Sequence, residues 1–448
     1  MLKKLAAALL ACGLMLGTAA CSAPPKVPEP RDFEPSEPLT ICFDLDNLWE
    51  PRHYELTDGA PVYTGAKLRQ QAVDEFLQAM REAGGPEDVQ VEFLEGYGSD
   101  REGQLTRLRA ELMAGKGPDL FVLRQNGSSD LFLFPEKKMD GGLFLALDRY
   151  MEGAQFMEPE RMLAPVFDAG LSEDGRRFLL PMSFDIDAAV LPLPSPDYDP
   201  DKPMTFDAML DGNLLALWKP GPGEPFTDMS PALGRLADYK KESLLFTEEE
   251  LGEFFSGLLS YEQAVENGDI EPPRGMFMGD LPGLEGTIAS RSWAMKPVTL
   301  VPLYDREGGV SARVDFFMGV NANAVNPAGA FWAADFLLGR DYMGSSDLHM
   351  YMWNGTMPIY TDLLGPGVGV PYVRDSSGED VFVNGFGSRH WDAVQELFGR
   401  VTRARFPSEL DTELTRAYWE YYRAGDERSR DKAVSDAYST MRMMLGES

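Results

Sequence analysis

Short apolar runs alternate with longer amphipathic stretches in the first part of the folded chain. Residues 39–43 form an apolar run of β-favouring side chains, which predicts a first strand. Residues 67–83 predict a helix that ends at Gly84-Gly85-Pro86. The helix is indicated by apolar side chains that recur in steps of four, at Leu68, Ala72, Phe76 and Met80.

The same alternation continues along the chain. Residues 89–93 predict a second strand, a helix follows from Ser99 or Asp100 to the turn at residues 115–118, and residues 119–123 predict a third strand. Strands and helices in this order predict a parallel, doubly wound sheet. Because ligands bind beyond the carboxyl ends of such strands, we expect one rim to be formed by residues 44–49, 95–99 and 124–128.

The amino terminus has the pattern of a targeting segment. Lys3 and Lys4 precede an apolar stretch at residues 5–16, which is too short to span a bilayer as a mature helix. Small residues then lead to Cys21, and the arrangement resembles the lipobox of bacterial lipoproteins, with Thr18 where Leu is usual. The resemblance implies cleavage before Cys21 and acylation of its thiol.

Two alternatives to this interpretation stay open, and a tether follows in each. Cys12 is a competing lipidation site with a shorter apolar stretch before it, and ordinary signal cleavage near Ala20 is the other alternative. Residues 22–38 contain six prolines, which predict a semi-extended tether rather than a helix or a central strand. If Cys21 is lipidated, the anchor attaches the chain to a membrane and the stiff tether holds the folded domain away from the membrane surface.

The charge of the chain excludes several classes of partner. Lys plus Arg is 41 and Asp plus Glu is 72, so the net charge is −31. Removal of residues 1–20 deletes two lysines and no acid, which makes the charge −31 − 2 = −33. Such a chain lacks the basic face that nucleic acid needs. The three His and three Cys are scattered, so neither a zinc site nor another cofactor is expected.

Seven segments resemble, in the same order, the extracellular solute-binding proteins of ABC importers, of the sugar-binding family that includes maltose-binding protein. Residues 110–123 are similar to the helix–GxGPD–strand segment of that family. The other similar segments are residues 144–150, 178–184, 204–210, 298–303, 317–339 and 355–358.

The resemblance implies an α/β, two-lobed periplasmic-binding-protein-like fold, in which each lobe is a sheet flanked by helices and the ligand cleft lies at the hinge. We expect the chain to cross between the lobes near Ile186, Val314 and Asn354. The expected division is a signal peptide at 1–20, a tether at 21–38, a first lobe from 39–186 and 314–353, and a second lobe from 187–313 and 354–448.

The implied function is capture of a small solute, a sugar or oligosaccharide, and its delivery to the permease of an ABC transporter. The protein is expected to be a monomer without enzymatic activity. Its expected location is the extracytoplasmic face of the cell membrane, which it contacts through the lipid anchor only. A peptide or a polyamine-like ligand, and a surface glycan-binding lipoprotein without a transporter, remain alternatives.

Asp185 and Asp187 form an acidic pair in the segment that resembles a lobe crossing. On a strand, a spacing of two places both carboxylates on one face. In the family, the acid at the place of Asp185 faces the cleft and accepts sugar hydroxyls, and a hinge salt bridge is the structural alternative. A general acid/base pair of a glycosidase is a third interpretation, although the Glu that completes the acidic signature of one such family is absent.

Aromatic side chains are candidates because sugar rings stack on Trp and Tyr. They lie at expected strand ends or lobe crossings, and an amide that follows the third strand can bind hydroxyls. The expected ligand contacts, with Asp185, are Trp49, Tyr97, Asn126, Trp293 and Trp353. Trp332 is assigned to the core, and no cleft signal marks Trp218, Trp391 or Trp419.

Asp44 and Asp46 suggest a different chemistry. They follow the first strand and resemble the D-x-D-x-T start of haloacid-dehalogenase-type phosphatases, in which the pair supplies the nucleophile and holds Mg²⁺. Leu48 stands in the place of the Thr, and no basic motif follows. An exported phosphatase is therefore the alternative function, and a solvated strand end or cleft rim is the structural reading of the two acids.

Overall fold

The computed structural model describes residues 33–45, 65–95, 98–125, 130–221, 223–273, 276–277, 297–352, 356–364, 370–374, 380–383 and 388–447. Within these ranges the chain forms a mixed α/β structure with several sheets.

The strands, in chain order, are β1 (Leu39–Phe43), β2 (Val89–Phe93), β3 (Leu120–Arg124), β4 (Leu179–Pro181), β5 (Ser183–Asp185), β6 (Ala188–Pro192), β7 (Ala237–Asp238), β8 (Ser243–Leu244), β9 (Met276–Phe277), β10 (Val298–Pro302), β11 (Val310–Val314), β12 (Phe316–Val320), β13 (Met357–Pro358), β14 (Val370–Arg374), β15 (Asp380–Val383) and β16 (Val401–Arg405).

The α-helices, in chain order, are α1 (Gly65–Glu82), α2 (Gly98–Met113), α3 (Pro135–Asp140), α4 (Asp148–Met151), α5 (Ala164–Asp168), α6 (Phe206–Asp211), α7 (Glu248–Asn267), α8 (Pro327–Leu337), α9 (Arg340–Met343), α10 (Asp347–Met352), α11 (Ser388–Arg400), α12 (Glu409–Arg423) and α13 (Glu427–Glu447). Short 3₁₀ helices lie at Pro159–Arg161, Leu214–Trp218, Ser230–Leu233 and Thr361–Leu363.

The predicted β–α–β–α–β unit is confirmed. A five-stranded sheet has the order β2-β1-β3-β12-β4, and β1 runs parallel to both β2 and β3. β12 adds antiparallel to β3, and β4 adds antiparallel to β12. The helix α8 packs against β1, β3 and β12, which covers the apolar side chains of the sheet.

The turn between α2 and β3 leads into the central strand of this sheet. Gly115 and Gly117 have φ values of 70° and 106°, which favour glycine because a side chain would clash with the backbone there. The next charged residue, Asp119, accepts hydrogen bonds from the backbone N–H of Thr40 at 2.9 Å and of Val325 at 2.6 Å. The segment that resembles a family motif therefore has a structural role here, because it joins β1 to the loop before α8.

The chain leaves the five-stranded sheet between β4 and β5 and returns between β11 and β12. β5 and β11 belong to a four-stranded sheet of order β13-β5-β11-β16, so Met182 and Asp315 are the residues at which the chain changes sheets. A three-stranded sheet of order β10-β6-β9 continues the second half of the structure. Both connections are short, which holds the edges of the two sheets close together.

Two helices complete the carboxyl-terminal part, as the apolar pattern predicts. α12 and α13 pack against each other and against α7. The side chains of Leu414, Tyr418, Met441 and Leu445 are buried between them, which confirms their assignment to the core. Among the described helices, none combines the length and the apolar character needed to cross a bilayer.

Candidate functional site

A cavity of about 700 Å³ lies where the chain passes between the sheets. Its walls come from the carboxyl end of β3, the two sheet crossings, the loop before the 3₁₀ helix at Ser230–Leu233, and the first turns of α12. The described residues that line it are Arg124, Gln125, Asp185, Asp187, Trp218, Thr227, Asp228, Met229, Ser230, Arg313, Val314, Asp315, Thr356, Arg405, Pro407, Asp411, Thr412, Thr415 and Arg416.

Backbone hydrogen bonds bring the ends of three strands together at this cavity. The N–H of Gln125 donates to the carbonyl of Asp315 at 2.7 Å, and the N–H of Asp315 donates to the carbonyl of Ser183 at 3.1 Å. The side-chain amide of Gln125 donates to the carbonyl of Pro407 at 2.7 Å. The first sheet, the crossing strands and the start of α12 are therefore joined around one wall of the cavity.

Arg313 holds two carboxylates at the centre of this wall. Its Nη2 lies 2.6 Å from Oδ2 of Asp185, and its Nη1 lies 2.9 Å from Oδ2 of Asp187. Burial raises the pKa of Asp187 to about 7 against the attraction of Arg313, and Asp185 and Asp228 add to the rise by repulsion. One guanidinium therefore contacts two carboxylates, and its attraction is not enough to keep the pKa of Asp187 at its usual value.

A second ion pair lies beside this cluster. Nε of Arg124 donates to Oδ1 of Asp315 at 3.2 Å. Burial raises the pKa of Asp315 to about 6, although Arg124 favours its ionised form. The strand end of β3 and the crossing into β12 therefore present a cation and an anion to the same space.

A polar network centred on Asp411 also borders the cavity. Asp411 accepts hydrogen bonds from Oγ of Ser230 at 2.6 Å and from the N–H of Ser408 at 2.7 Å, and it forms an ion pair with Arg405. Burial opposes the charge of Asp411, but Arg405 and these hydrogen bonds outweigh burial and lower its pKa. Arg416, farther along α12, is held by Glu413 and Glu420.

Several buried polar atoms at this cavity lack a hydrogen-bond partner among the described residues. They are Oδ2 of Asp315, Oγ1 of Thr356 and Nε of Arg405. Thr356 is only 4% exposed and Asp315 is 8% exposed, so the surface water that usually satisfies such groups has little access. Asp315, Thr356 and Arg405 also line the cavity, so a polar molecule that enters it would lie close to these unsatisfied groups.

The expected ligand contacts have different outcomes. Asp185 lines the cavity and also forms the salt bridge that was its structural alternative. The other expected contacts and the lipidation site lie outside the described residues: Trp49, Tyr97, Asn126, Trp293, Trp353 and Cys21.

Two expectations about particular side chains need correction. β5 ends at Asp185, so Asp185 and Asp187 are not on one strand face, and Arg313 is what brings their carboxylates together. Trp218, which carries no cleft signal in the sequence, lines the cavity. Its ring is nearly buried, because it ends the 3₁₀ helix Leu214–Trp218, whose side chains all face the core.

Asp44 is neither a solvated strand end nor a rim residue. Arg101 donates to its Oδ1 at 2.9 Å and to its Oδ2 at 2.7 Å, and both side chains are almost completely buried. A phosphatase nucleophile needs access to substrate and an unengaged oxygen, so this pairing does not favour the phosphatase alternative. Asp46 lies outside the described residues. Within the described part of the chain, no group of His, Cys, Asp and Glu is arranged to hold a metal ion.

Sequence reasoning missed most of the charged wall. Arg313 and Asp315 flank Val314, which was expected at a crossing, and the same spacing of two that singled out Asp185 could have singled them out. Thr356 stands inside the segment at residues 355–358 that resembles a family motif. For Arg405 and Asp411 no sequence signal was available, because they meet Ser230 only through the fold.

No family model matches the chain, and no curated protein matches it significantly. Solved structures do resemble it. An extracellular solute-binding protein of family 1 from Alicyclobacillus acidocaldarius has a TM-score of 0.54 at 13% identity, with 92% of this chain and 100% of that chain covered. A periplasmic oligogalacturonide-binding protein from Yersinia enterocolitica has a TM-score of 0.54 at 14% identity, with 92% and 99% covered.

A cyclic α-maltosyl-1,6-maltose-binding protein from Arthrobacter globiformis has a TM-score of 0.50 at 14% identity, with 92% and 100% covered. At such identities the likeness is one of fold. The chain has the two-lobed α/β fold of the extracellular solute-binding proteins, as the resemblance of its segments predicts.

Proposed function

We propose that this protein is a solute-binding protein that captures a sugar or oligosaccharide in the cavity between its lobes and delivers it to an ABC transporter permease. The proposal rests on the fold and on one observation in particular. Asp315, Thr356 and Arg405 line the same cavity, and each has a buried polar atom without a hydrogen-bond partner among the described residues. Sugar hydroxyls both donate and accept hydrogen bonds, so one such ligand can satisfy acceptors and donors together.

The mechanism that fits this arrangement is binding with closure. Arg124 and Asp315 approach the cavity from the five-stranded sheet, whereas Thr227, Ser230 and Asp411 approach it from the other half of the structure. A ligand that contacts both walls binds the closed form more tightly than the open form and so shifts the population toward closure. No bond is made or broken in this cycle.

A thermal-shift screen of the purified protein against sugars, peptides and polyamines tests the ligand class. A ligand that binds the native state raises the melting temperature, by an amount that grows with the logarithm of the ligand concentration relative to its dissociation constant. We expect a sugar or oligosaccharide to give the largest shift. If a peptide shifts the protein and no carbohydrate does, the carbohydrate assignment is wrong.

The individual ligand contacts are a separate part of the proposal. We propose that Trp49, Tyr97, Asn126, Asp185, Trp293 and Trp353 contact the ligand. Trp293→Ala and Asp185→Asn should each weaken the sugar identified in the screen without unfolding the protein, as judged by calorimetric titration and circular dichroism. Unchanged affinity in both variants would contradict the assignment of these residues.

The lipid anchor and the permease form the remaining part of the proposal. The lobes at 39–186 with 314–353 and at 187–313 with 354–448 are proposed to stand on the proline-rich tether, anchored through Cys21 at the extracytoplasmic face of the membrane. Cys21→Ser should abolish incorporation of labelled fatty acid and release the protein from the membrane fraction. Ligand-dependent stimulation of ATP hydrolysis by a reconstituted permease would separate an importer component from a stand-alone glycan binder.

A further inference from the structure

The loop at residues 219–229 forms part of the cavity wall. Three consecutive residues of this loop line the cavity: Thr227, Asp228 and Met229. The described residues before them in the loop do not belong to the cavity lining, and side chains of α7 hold their backbone instead. We call residues 227–229 the cavity loop.

Two glutamates on α7 hold the segment that leads into the cavity loop. Oε1 of Glu262 accepts a hydrogen bond from the N–H of Phe226 at 2.5 Å. Oε1 of Glu266, one helical turn later, accepts from the N–H of Gly223 at 3.0 Å and pairs with Lys219 at 3.1 Å. The side chain of Glu262 is completely buried, so water cannot replace its hydrogen bonds.

The other end of the cavity loop is also anchored. Oγ of Ser230 donates to Oδ1 of Asp411 at 2.6 Å, and Nη2 of Arg405 donates to Oγ of Ser230 at 2.9 Å. The cavity loop is therefore a span of three residues between two fixed points, Phe226 and Ser230.

Glu262 also holds the helix that lines the cavity beside this loop. Oη of Tyr418, on α12, donates to Oε2 of Glu262 at 2.9 Å. Thr412, Thr415 and Arg416 on the same helix line the cavity. One buried carboxylate is therefore bonded both to the segment before the cavity loop and to α12, although it does not itself line the cavity.

We infer that Glu262 is a positioning residue of the binding site: it holds the cavity loop against α12 in the geometry in which Thr227 and Asp228 contact the sugar. This inference rests on the proposed function and adds two contacts to it. Thr227 is half-buried and Asp228 is exposed at the cavity. Their hydroxyl and carboxylate groups form directional hydrogen bonds with sugar hydroxyls.

The physical reason for such anchoring is that an ordered loop binds more tightly than a loose one. A loop that is fixed before binding avoids the entropy cost of ordering its backbone when the sugar arrives. Asp228 has a φ of 52°, in the left-handed region that non-glycine residues seldom adopt, so its neighbours must hold this conformation. Loss of the acceptor for Phe226 would release one of the two fixed points.

Calorimetric titration with maltotriose, cellotriose, β-1,4-mannotriose and trigalacturonate tests the inference. Glu262→Met keeps a similar volume but removes both acceptors, and should weaken the trisaccharide that binds best about tenfold. Asp335→Leu is the matched control. Asp335 is a buried carboxylate on α8 that accepts the N–H of Gln155 at 2.6 Å and of Met157 at 2.9 Å, outside the cavity lining. It should lose stability and keep its affinity, and an equal loss of affinity in both variants would overturn the inference.

Two milder variants keep the test decisive if Glu262→Met does not fold. Glu262→Gln retains an acceptor for Phe226 and a group that bonds Tyr418, so its affinity should stay within about threefold of the wild type. Tyr418→Phe removes one hydroxyl and should weaken binding about two- to threefold. Unchanged affinity in Tyr418→Phe, or a loss of more than about tenfold in Glu262→Gln, would contradict the positioning role.

A double-mutant cycle shows whether Glu262 acts through the cavity loop. Thr227→Ala alone should weaken binding about three- to tenfold. In the Glu262→Met background, or in Tyr418→Phe, the same substitution should have a smaller effect, because the hydroxyl is already displaced from the sugar. Effects that multiply independently would mean that Glu262 does not position Thr227.

The outcomes separate this inference from the proposed function. If a trisaccharide binds and the substitutions at Glu262 and Tyr418 leave its affinity unchanged, the positioning role is wrong and the carbohydrate-binding function stands. If none of the sugars binds, the proposed function fails, and the positioning role fails with it.

Discussion

Asp44 and Asp187 both follow a buried strand, and each is held by one arginine, yet the two sites differ in their surroundings. Arg101 gives both of its terminal nitrogens to Asp44, and the two side chains are 3% and 1% exposed. Arg313 is 25% exposed beside the cavity and divides its nitrogens between Asp187 and Asp185. The first site is closed and has one arginine for one carboxylate, whereas the second borders a cavity and has one arginine that contacts two carboxylates.

This difference separates an ion pair that stabilises the fold from one that is available to a ligand. A buried pair that satisfies itself cannot accept another molecule without losing its own hydrogen bonds. A cluster that borders a cavity can gain hydrogen bonds from a molecule that enters the cavity. The motif that looked more catalytic in the sequence, at Asp44, is therefore the one without room for chemistry.

The largest expected effect comes from breaking the closed pair. Asp44→Ala leaves the Arg101 guanidinium buried without its counterion, so the free energy of unfolding should fall by about 3–5 kcal/mol in urea denaturation. Asp74→Ala removes an exposed carboxylate on α1 and should change it by less than about 0.5 kcal/mol. A loss under about 1 kcal/mol for Asp44→Ala would mean that the closed pair does not stabilise the fold.

Removing the arginine from the cluster beside the cavity should lower the free energy of unfolding by a smaller amount. Arg313→Met removes the cation shared by Asp185 and Asp187, and the cavity lets water reach the carboxylates, so we expect a loss of about 1–3 kcal/mol. The loss should be smaller in mild acid, because protonated carboxylates do not need a counterion. Denaturation at neutral and at mildly acid pH measures both effects, and a loss as large as that of Asp44→Ala would remove the contrast.

The pH dependence of stability should reveal the raised pKa of Asp187. Its pKa of about 7 lies above that of an unfolded aspartate, 3.8. The folded state therefore holds the proton more tightly, and the contribution of Asp187 to stability falls as the pH rises from about 4 to about 7. Asp187→Asn cannot ionise, so its stability relative to the wild type should rise by about 1–2 kcal/mol across this range. A constant difference would show that Asp187 ionises normally.

The smallest expected effect has opposite signs for stability and binding. Thr356→Val removes a buried hydroxyl without a partner among the described residues, so the free energy of unfolding should rise by up to about 1 kcal/mol. Affinity for the sugar should fall about three- to tenfold. Thr299→Val is the matched control, because its hydroxyl is equally buried and unpartnered within the described structure but lies outside the cavity lining. It should gain stability and keep its affinity.

The elements of the first sheet could be predicted because their signal is local. The apolar steps of α1 and the alternation in β2 record which face of each element is buried, and the glycines at residues 115 and 117 mark the turn between α2 and β3. The sheet changes at Met182 and Asp315 are less visible in the sequence. Strands β4 and β5 are three residues long each and are separated only by Met182, so their periodicity does not reveal that they belong to different sheets.

The candidate site could be predicted only in part. Asp185 was found because it belongs to an acidic pair inside a recognisable segment. Arg313, its partner, lies in the last part of β11 and pairs with β5 through an antiparallel register that no short window of sequence contains. An arginine on a strand carries no local sign of which of 72 acidic residues will be its neighbour.

The amino-acid sequence was sufficient for the order of the first strands and helices and for the buried faces of α12 and α13. These properties depend on periodicity and composition, which are read along the chain. The assignment of Asp44 to the interior and of Asp187 to a cavity required the folded structure. Counterions, exposure and unsatisfied hydrogen bonds depend on distances through space between residues that are far apart in sequence. An Asp–Arg pair that is buried, such as Asp44 with Arg101, stabilises the fold, whereas a pair that borders a cavity, such as Asp187 with Arg313, can also contact a ligand.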